Sequence, residues 1–267
     1  MPNGLNLVEK RSHNTGDIIQ DILLESGVEN IEMFYNPENY NVETDWKLFS
    51  NISKAATILR EAIEDDGMIG VLVDDDADGF TSAAAISKFI SLTGNGERIK
   101  WYFHSEKSHG LGFYSDEDFE KWNEEVDLLI IPDAASNDFE EQFKLLKLGL
   151  KLIILDHHNI DNQKEIDKIA FDYSKNYALV NNQLDTNMKV NGMFTGAGVV
   201  YKFCQAYDNM FNFGFETYSD SLLDLIALGQ IADASDISDP EIRLIVNKGI
   251  SDLKSEFLKV VLSGEET

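Results

Sequence analysis

Three short apolar runs in this chain each end on residues able to bind a cation or move a proton. Val71-Leu72-Val73 runs into Asp74-Asp75-Asp76-Ala77-Asp78-Gly79, Leu128-Leu129-Ile130-Ile131-Pro132 into Asp133, and Lys151-Leu152-Ile153-Ile154-Leu155 into Asp156-His157-His158. A fourth run, Leu225 to Ala232, has helical character and ends on Asp233. Massing like charges is costly unless a cation or hydrogen bonds neutralise them. Carboxylate oxygen and imidazole nitrogen together suit Mg²⁺ or Mn²⁺. Three acid-bearing strand ends plus a histidine pair could hold two such ions about 3.5–4 Å apart, the spacing at which paired metals activate a water and steady the leaving oxygen in an in-line displacement at phosphorus.

Each cluster also has a plainer reading. The acids from Asp74 to Asp78 could be a solvated loop in an acidic protein. Asp133 stands beside Ser136, Asn137 and Asp138, any of which suits a turn or a helix cap. His157-His158 could be a polar turn, and Asp233 an ordinary polar end to a core helix. In the functional reading, alternation along an extended strand puts Asp74, Asp76 and Asp78 on one side and Asp75 on the other. Gly79 then makes a turn into a helix whose first residues, Thr81 and Ser82, bring backbone N–H groups within reach of a phosphate. Adjacent histidines on a turn point apart, so one can ligate metal while the other meets substrate.

The elements that must position these residues are legible as short β-type runs alternating with helical segments. The runs are Met68–Val73, Ile99–His104, Asp127–Pro132, Lys151–Leu155 and Ala178–Val180, with helical spacing over Ser82–Leu92 and Asp138–Leu148. This pattern predicts an α/β fold with a mostly parallel, doubly wound sheet flanked by helices, in which ligands collect at the carboxyl ends of strands. A helical lead-in is expected over residues 1–66, including a periodic segment from Trp46 to Ile63, and a catalytic domain over 67–267. Beyond Asn181, helices are expected over Thr195–Met210, Ser219–Ile231 and Pro240–Leu262.

With 267 residues, 43% of them hydrophobic, the chain can bury a sizeable core. Its single cysteine, Cys204, excludes an intrachain disulfide. No stretch is apolar enough to span a bilayer and no basic leader opens the chain, so a cytoplasmic protein without a membrane partner is expected. The 48 acidic against 22 basic side chains give a net charge of −26, which opposes unaided grip on a phosphate backbone. Either the groove is locally basic or another domain or a protein partner supplies the cationic surface. The sequence has no G-x-x-x-x-G-K-[ST] loop, no H-E-x-x-H and no G-x-S-x-G. P-loop hydrolases, zinc peptidases of that type and nucleophile-elbow hydrolases are therefore set aside.

The order of the four clusters resembles the DHH phosphoesterase superfamily, whose namesake triplet is seen as Asp156-His157-His158. Asp74-Asp75-Asp76-Ala77-Asp78-Gly79 is similar to the D-x-D-A-D-G motif of its RecJ-type branch of single-strand exonucleases. Gly110-Leu111-Gly112, Val180-Asn181, Gly196-Ala197-Gly198-Val199 and Ala227-Leu228-Gly229-Gln230-Ile231-Ala232-Asp233 follow in RecJ-like order. The resemblance implies two Mn²⁺ or Mg²⁺ ions on Asp74, Asp76, Asp133, His157 and Asp233, with Asp133 bridging. It implies that His158 meets the scissile phosphate, with Asp78 an accessory acid and Asp156 orienting the histidines. The implied activity is 5′-to-3′ cleavage of single-stranded DNA, with short oligonucleotides or cyclic dinucleotides the alternative substrates and a non-catalytic replication or repair scaffold the alternative of another class. Two features depart from the pattern. No G-G-H motif of a C-terminal DHHA1-type domain occurs before Thr267, and Ala134-Ala135-Ser136-Asn137-Asp138 replaces the expected D-C-G-x context, which points to a divergent branch of viral or mobile-element kind.

Overall fold

The computed structural model describes His13, 15–104, 108–184, 190–211 and 218–263. Its centre is a parallel sheet of β1 (Ile69–Val73), β2 (Ile99–Phe103), β3 (Leu128–Pro132), β4 (Lys151–Asp156) and β5 (Tyr177–Asn181), in the order β2-β1-β3-β4-β5. The four strands other than the edge strand β2 are almost unbroken apolar runs, as expected when both faces of a parallel sheet are covered. Alternation divides those side chains between two cores. Val71, Ile130, Ile153 and Val180 point to one face, and Leu72, Leu129, Ile154 and Leu179 to the other.

Chain order gives the helices α1 (Ile18–Glu25), α2 (Ile31–Tyr35), α3 (Ile52–Glu64), α4 (Ala77–Leu92), α5 (Asp116–Glu125), α6 (Phe139–Leu148), α7 (Gln163–Asp172), α8 (Gly196–Phe211), α9 (Leu223–Ala232), α10 (Pro240–Ser251) and α11 (Glu256–Ser263). The first core is covered by α3, α4, α8, α9 and α10, and the second by α5, α6 and α7. The connection from β1 to β2 therefore runs over one face and that from β2 to β3 over the other. Strand order reverses between β1 and β3, and the crevice at such a reversal is where ligands bind in open α/β sheets.

All five expected strands are present, and the described part of the region before the sheet carries helices, while residues 1–12 and 14 of the expected lead-in lie outside the described residues. The expected lead-in segment from Trp46 to Ile63 is broken at Asn51, whose φ of 64° no continuous helix allows. The last expected helix is likewise two, α10 and α11, separated around Asp252. Helices α5 and α7 were not anticipated. A buried ion pair fixes the N-terminal segment to the helices behind the sheet. Lys202 Nζ on α8 lies 2.8 Å from Glu241 Oε1 on α10 and donates to the carbonyl oxygen of Thr44 at 2.8 Å. Among the described residues, no helix is long and apolar enough to cross a membrane.

Candidate metal centre

β1, β3 and β4 end together beside the reversal, and the backbone there aims carboxylates and imidazoles into one crevice. Asp74 follows β1, is 2% exposed, and accepts hydrogen bonds from the Gly110 N–H at 3.1 Å and His109 Nδ1 at 2.6 Å. Asp133 follows β3 with φ 64°, a left-handed conformation that aspartate tolerates better than most residues and that turns its carboxyl away from the strand direction. Asp156 ends β4. Its Oδ1 accepts from the backbone N–H groups of His157 and His158 and from His158 Nδ1 at 2.7 Å, while Oδ2 accepts from the Ser136 N–H. One buried carboxylate thus fixes the backbone of both histidines and engages Nδ1 of His158.

Potential ligand atoms gather in overlapping groups. Asp74, Asp76 and Asp133 offer oxygens within 4.8 Å of one another, Asp78 and Asp233 offer oxygens and His157 a ring nitrogen within the same limit, and it also encloses ligand atoms of Asp133, Asp156, His157 and His158. His157 Nε2 joins them, lying 3.2 Å from Asp133 Oδ1 and 3.7 Å from Asp233 Oδ2. All five residues expected to ligate metal are therefore brought together, with Asp133 shared between groups.

Asp78 departs from the expected geometry. The chain leaves the extended conformation at Asp76, whose side chain accepts from the Gly79 N–H at 2.8 Å and caps α4. Asp78 therefore sits in the first helical turn, not on a strand side shared with Asp74 and Asp76. Buried at 2% exposure, it accepts from Thr195 Oγ1 at 2.9 Å, Gly196 N–H at 2.7 Å and Ala197 N–H at 3.1 Å. It thereby caps the start of α8 from another element and holds that helix against the crevice.

Gly79, Thr81 and Ser82 also differ from expectation. Gly79 lies inside α4, not in a turn, and its N–H is taken by Asp76. Thr81 Oγ1 donates to carbonyl oxygens of its own helix, and Ser82 is fully buried. The helix begins earlier than expected, which turns all three into packing. Glycine is needed here for space. A Cβ on Gly79 would come 2.6 Å from Asp74 Cβ, one on Gly196 2.4 Å from Asp133 Oδ1, and one on Gly229 2.4 Å from Asp78 Oδ1. Three helices approach three site carboxylates at glycines.

Two histidines escaped the sequence reading. His109 bonds Asp74, and its ring centroid is 4.6 Å from that of His158; His104 Nε2 lies 3.5 Å from Asp74 Oδ1. Four of the five histidines in the chain thus line one crevice. A signal existed for His104, which closes β2 just as the acids close β1 and β3.

The electrostatics call for a cation. Burial, together with Asp78 and Asp156 nearby, pushes the Asp133 carboxyl up to about 12. Burial also raises Asp78. Burial acts upward on Asp156 too, but the hydrogen bonds from His158 and Ser136 outweigh it and hold this carboxyl below the usual range. The Asp156 hydrogen bond raises His158, the Asp74 hydrogen bond raises His109, and burial lowers His104. Asp133 Oδ1 is buried and makes no well-aligned hydrogen bond, although His157 Nε2 lies 3.2 Å away. A buried carboxylate oxygen so placed among oxygen and imidazole donors fits a hard divalent ion.

Comparison with known proteins agrees with this geometry. Residues 68–230 match the model of the DHH family, N-terminal domain, and the chain belongs to the DHH family. It is 35% identical over 250 residues to YorK of Bacillus subtilis (strain 168), an SPbeta prophage-derived protein named as a candidate single-strand DNA-specific exonuclease; the match covers 94% of this chain and 40% of YorK. The single-stranded-DNA-specific exonuclease RecJ of Dickeya dadantii (strain 3937) is 23% identical over 79% of this chain and 36% of that protein. Among solved structures, RecJ from Thermus thermophilus in complex with Mn²⁺ aligns with a TM-score of 0.63 at 22% identity, over 80% of this chain and 29% of that one. A manganese-bound exonuclease RecJ gives 0.62 at 24%, over 76% and 48%. The chain thus spans about two fifths of the length of YorK.

Proposed function

We propose that this chain is a two-metal phosphodiester hydrolase acting on single-stranded DNA in the manner of a RecJ-like 5′-to-3′ exonuclease, or the catalytic core of one. The observation that carries the reading is the placement of Asp133. Its buried oxygen lies where a group of three carboxylates meets a group containing two histidines. Asp74, Asp76, Asp133, His157 and Asp233 would hold two ions, Mn²⁺ or Mg²⁺. When bound, such ions lower the pKa of a water and neutralise charge developing on phosphorus oxygens.

The chain's own residues do the rest. Asp156 holds His158 through Nδ1, so that the ring presents Nε2 to a phosphate at the crevice. The carboxylate keeps that imidazole protonated to higher pH, which lets it stabilise charge on the scissile group and donate a proton toward the leaving oxygen. Asp78 works indirectly, by seating α8 against Asp133.

A small substrate held chiefly through metal ions would be less opposed by the net charge of −26, so short oligonucleotides or cyclic dinucleotides are the second reading. Incubation with Mn²⁺ and 5′-labelled single-stranded DNA, duplex DNA, dinucleotides and cyclic dinucleotides separates the two. Mononucleotide release from the single strand is expected, and turnover of dinucleotides alone would favour the second reading. Absence of metal-dependent turnover in every case would point to a scaffold instead.

A further inference from the structure

A cavity of about 420 Å³ opens beside the metal-ligating crevice, between the free edge of the sheet at β2 and helix α5. This lies within the size range of small-molecule sites, about 300–1,000 Å³. Its lining includes Phe103, His104, Phe113, Tyr114 and Trp122. The inner rings form a continuous series, with His104 to Tyr114 centroids 5.1 Å apart and Tyr114 to Trp122 centroids 4.6 Å apart. Phe113, which lines it, is 73% exposed, although burying such a ring is strongly favourable.

Two further facts say what kind of molecule would fit. Tyr114 Oη is buried without a hydrogen-bond partner, and Asp118 and Lys121 add polar groups to the lining beside its ring faces. His104 also belongs to the crevice, 3.5 Å from Asp74 Oδ1. The cavity therefore adjoins the site at His104. A flat ring with hydrogen-bonding groups on its rim, attached to a phosphate in the crevice, matches all of these features.

We propose that this cavity is a nucleobase subsite, taking the base of a nucleotide whose phosphate lies at the metal-ligating residues. The inference deepens the phosphodiesterase reading and rests on it. The base stacks on the aromatic wall, Phe113 covers it, and Tyr114 Oη meets its polar edge. Ring faces attract every base, so the subsite selects for a base without selecting strongly among bases.

The test is calorimetric binding of thymidine 5′-monophosphate and of 2-deoxyribose 5-phosphate, which lacks the base, in Mn²⁺ and again in EDTA. Phe113→Ala and Tyr114→Phe are compared with the wild-type chain. Both should fold normally, since one ring is exposed and the other loses only an unpartnered hydroxyl, and unchanged melting temperatures would verify this. The wild-type chain is expected to prefer the base-bearing ligand by about tenfold, and each variant to shrink that preference. Equal affinity for the two ligands, no binding of either, or a preference that neither variant alters would overturn the subsite. Hydrolysis of bis(p-nitrophenyl) phosphate with Mn²⁺ checks the underlying reading separately. If the wild-type chain leaves that base-free diester intact yet keeps its base preference, the hydrolytic reading fails and the subsite stands.

Discussion

Two buried aspartates at neighbouring strand ends carry opposite electrostatic burdens, and substitutions at each should show it. Asp133 is raised to about 12 by burial and neighbouring carboxylates, so the folded chain holds its proton more tightly than the unfolded chain does. Stability then falls as pH climbs from the unfolded value near ~4 toward the folded one. Asp133→Asn removes that titration in a residue that also accepts left-handed backbone. In EDTA the variant is expected to melt about 3 °C above the wild-type chain at pH 8, with the gap closing toward pH 4, as read by calorimetry.

Asp156 lies below the usual range because its hydrogen bonds outweigh burial, so its contribution is present above the unfolded value and fades as pH falls below it. Asp156→Asn loses a buried ionic acceptor serving four donors and should cost about 2–3 kcal/mol at pH 7 in denaturant unfolding. Turnover should drop by about 10–100-fold because His158 loses its orientation.

At the scale of elements, the site depends on helices touching carboxylates where only a hydrogen fits. In Gly196→Ala the new methyl would meet Asp133 Oδ1 and the Asp133 backbone at the start of α8, a segment tied to Asp78 by two N–H groups. Neither side can yield freely. Destabilisation of about 1–3 kcal/mol and loss of most Mn²⁺ affinity are expected, while Gly112→Ala, which meets nothing within 4 Å, should change neither.

These contacts also show where the sequence was legible. Strands β1, β3, β4 and β5, buried on both faces, read as apolar runs, and the acids at the ends of β1, β3 and β4 were visible with them. Helices α5 and α7 each bury only two side chains, Phe119 and Trp122 in one and Ile166 and Ile169 in the other, too few to set a helical period. The capping box of Ser115 and Asp118 was the better signal for α5. Asp78 was found as a site residue but misplaced, because its partners Thr195 to Ala197 lie more than a hundred positions away. His109 was missed because only the folded β2 connection brings it to Asp74.

On the scale of the whole molecule, the sheet gathers chemistry at the carboxyl ends of its central strands while the charge of the chain resists a long polyanion. With 48 acidic and 22 basic side chains, this chain alone should engage one or two phosphates. At a slope of about −0.7 per phosphate for single strands, raising salt from about 50 to 200 mM should weaken oligonucleotide binding by less than about tenfold. Fluorescence anisotropy would check this, and a loss of a thousandfold would reveal a basic groove that the charge count hides.

The proposed function requires that carboxylates from three strand ends and an imidazole share divalent ions. Equilibrium titration with Mn²⁺, counted by calorimetry on the wild-type chain and on Asp133→Asn, tests it most directly. Two ions per wild-type chain and at most one in the variant are expected. Absence of Mn²⁺ binding, or a stoichiometry that the Asp133 substitution leaves untouched, would contradict it.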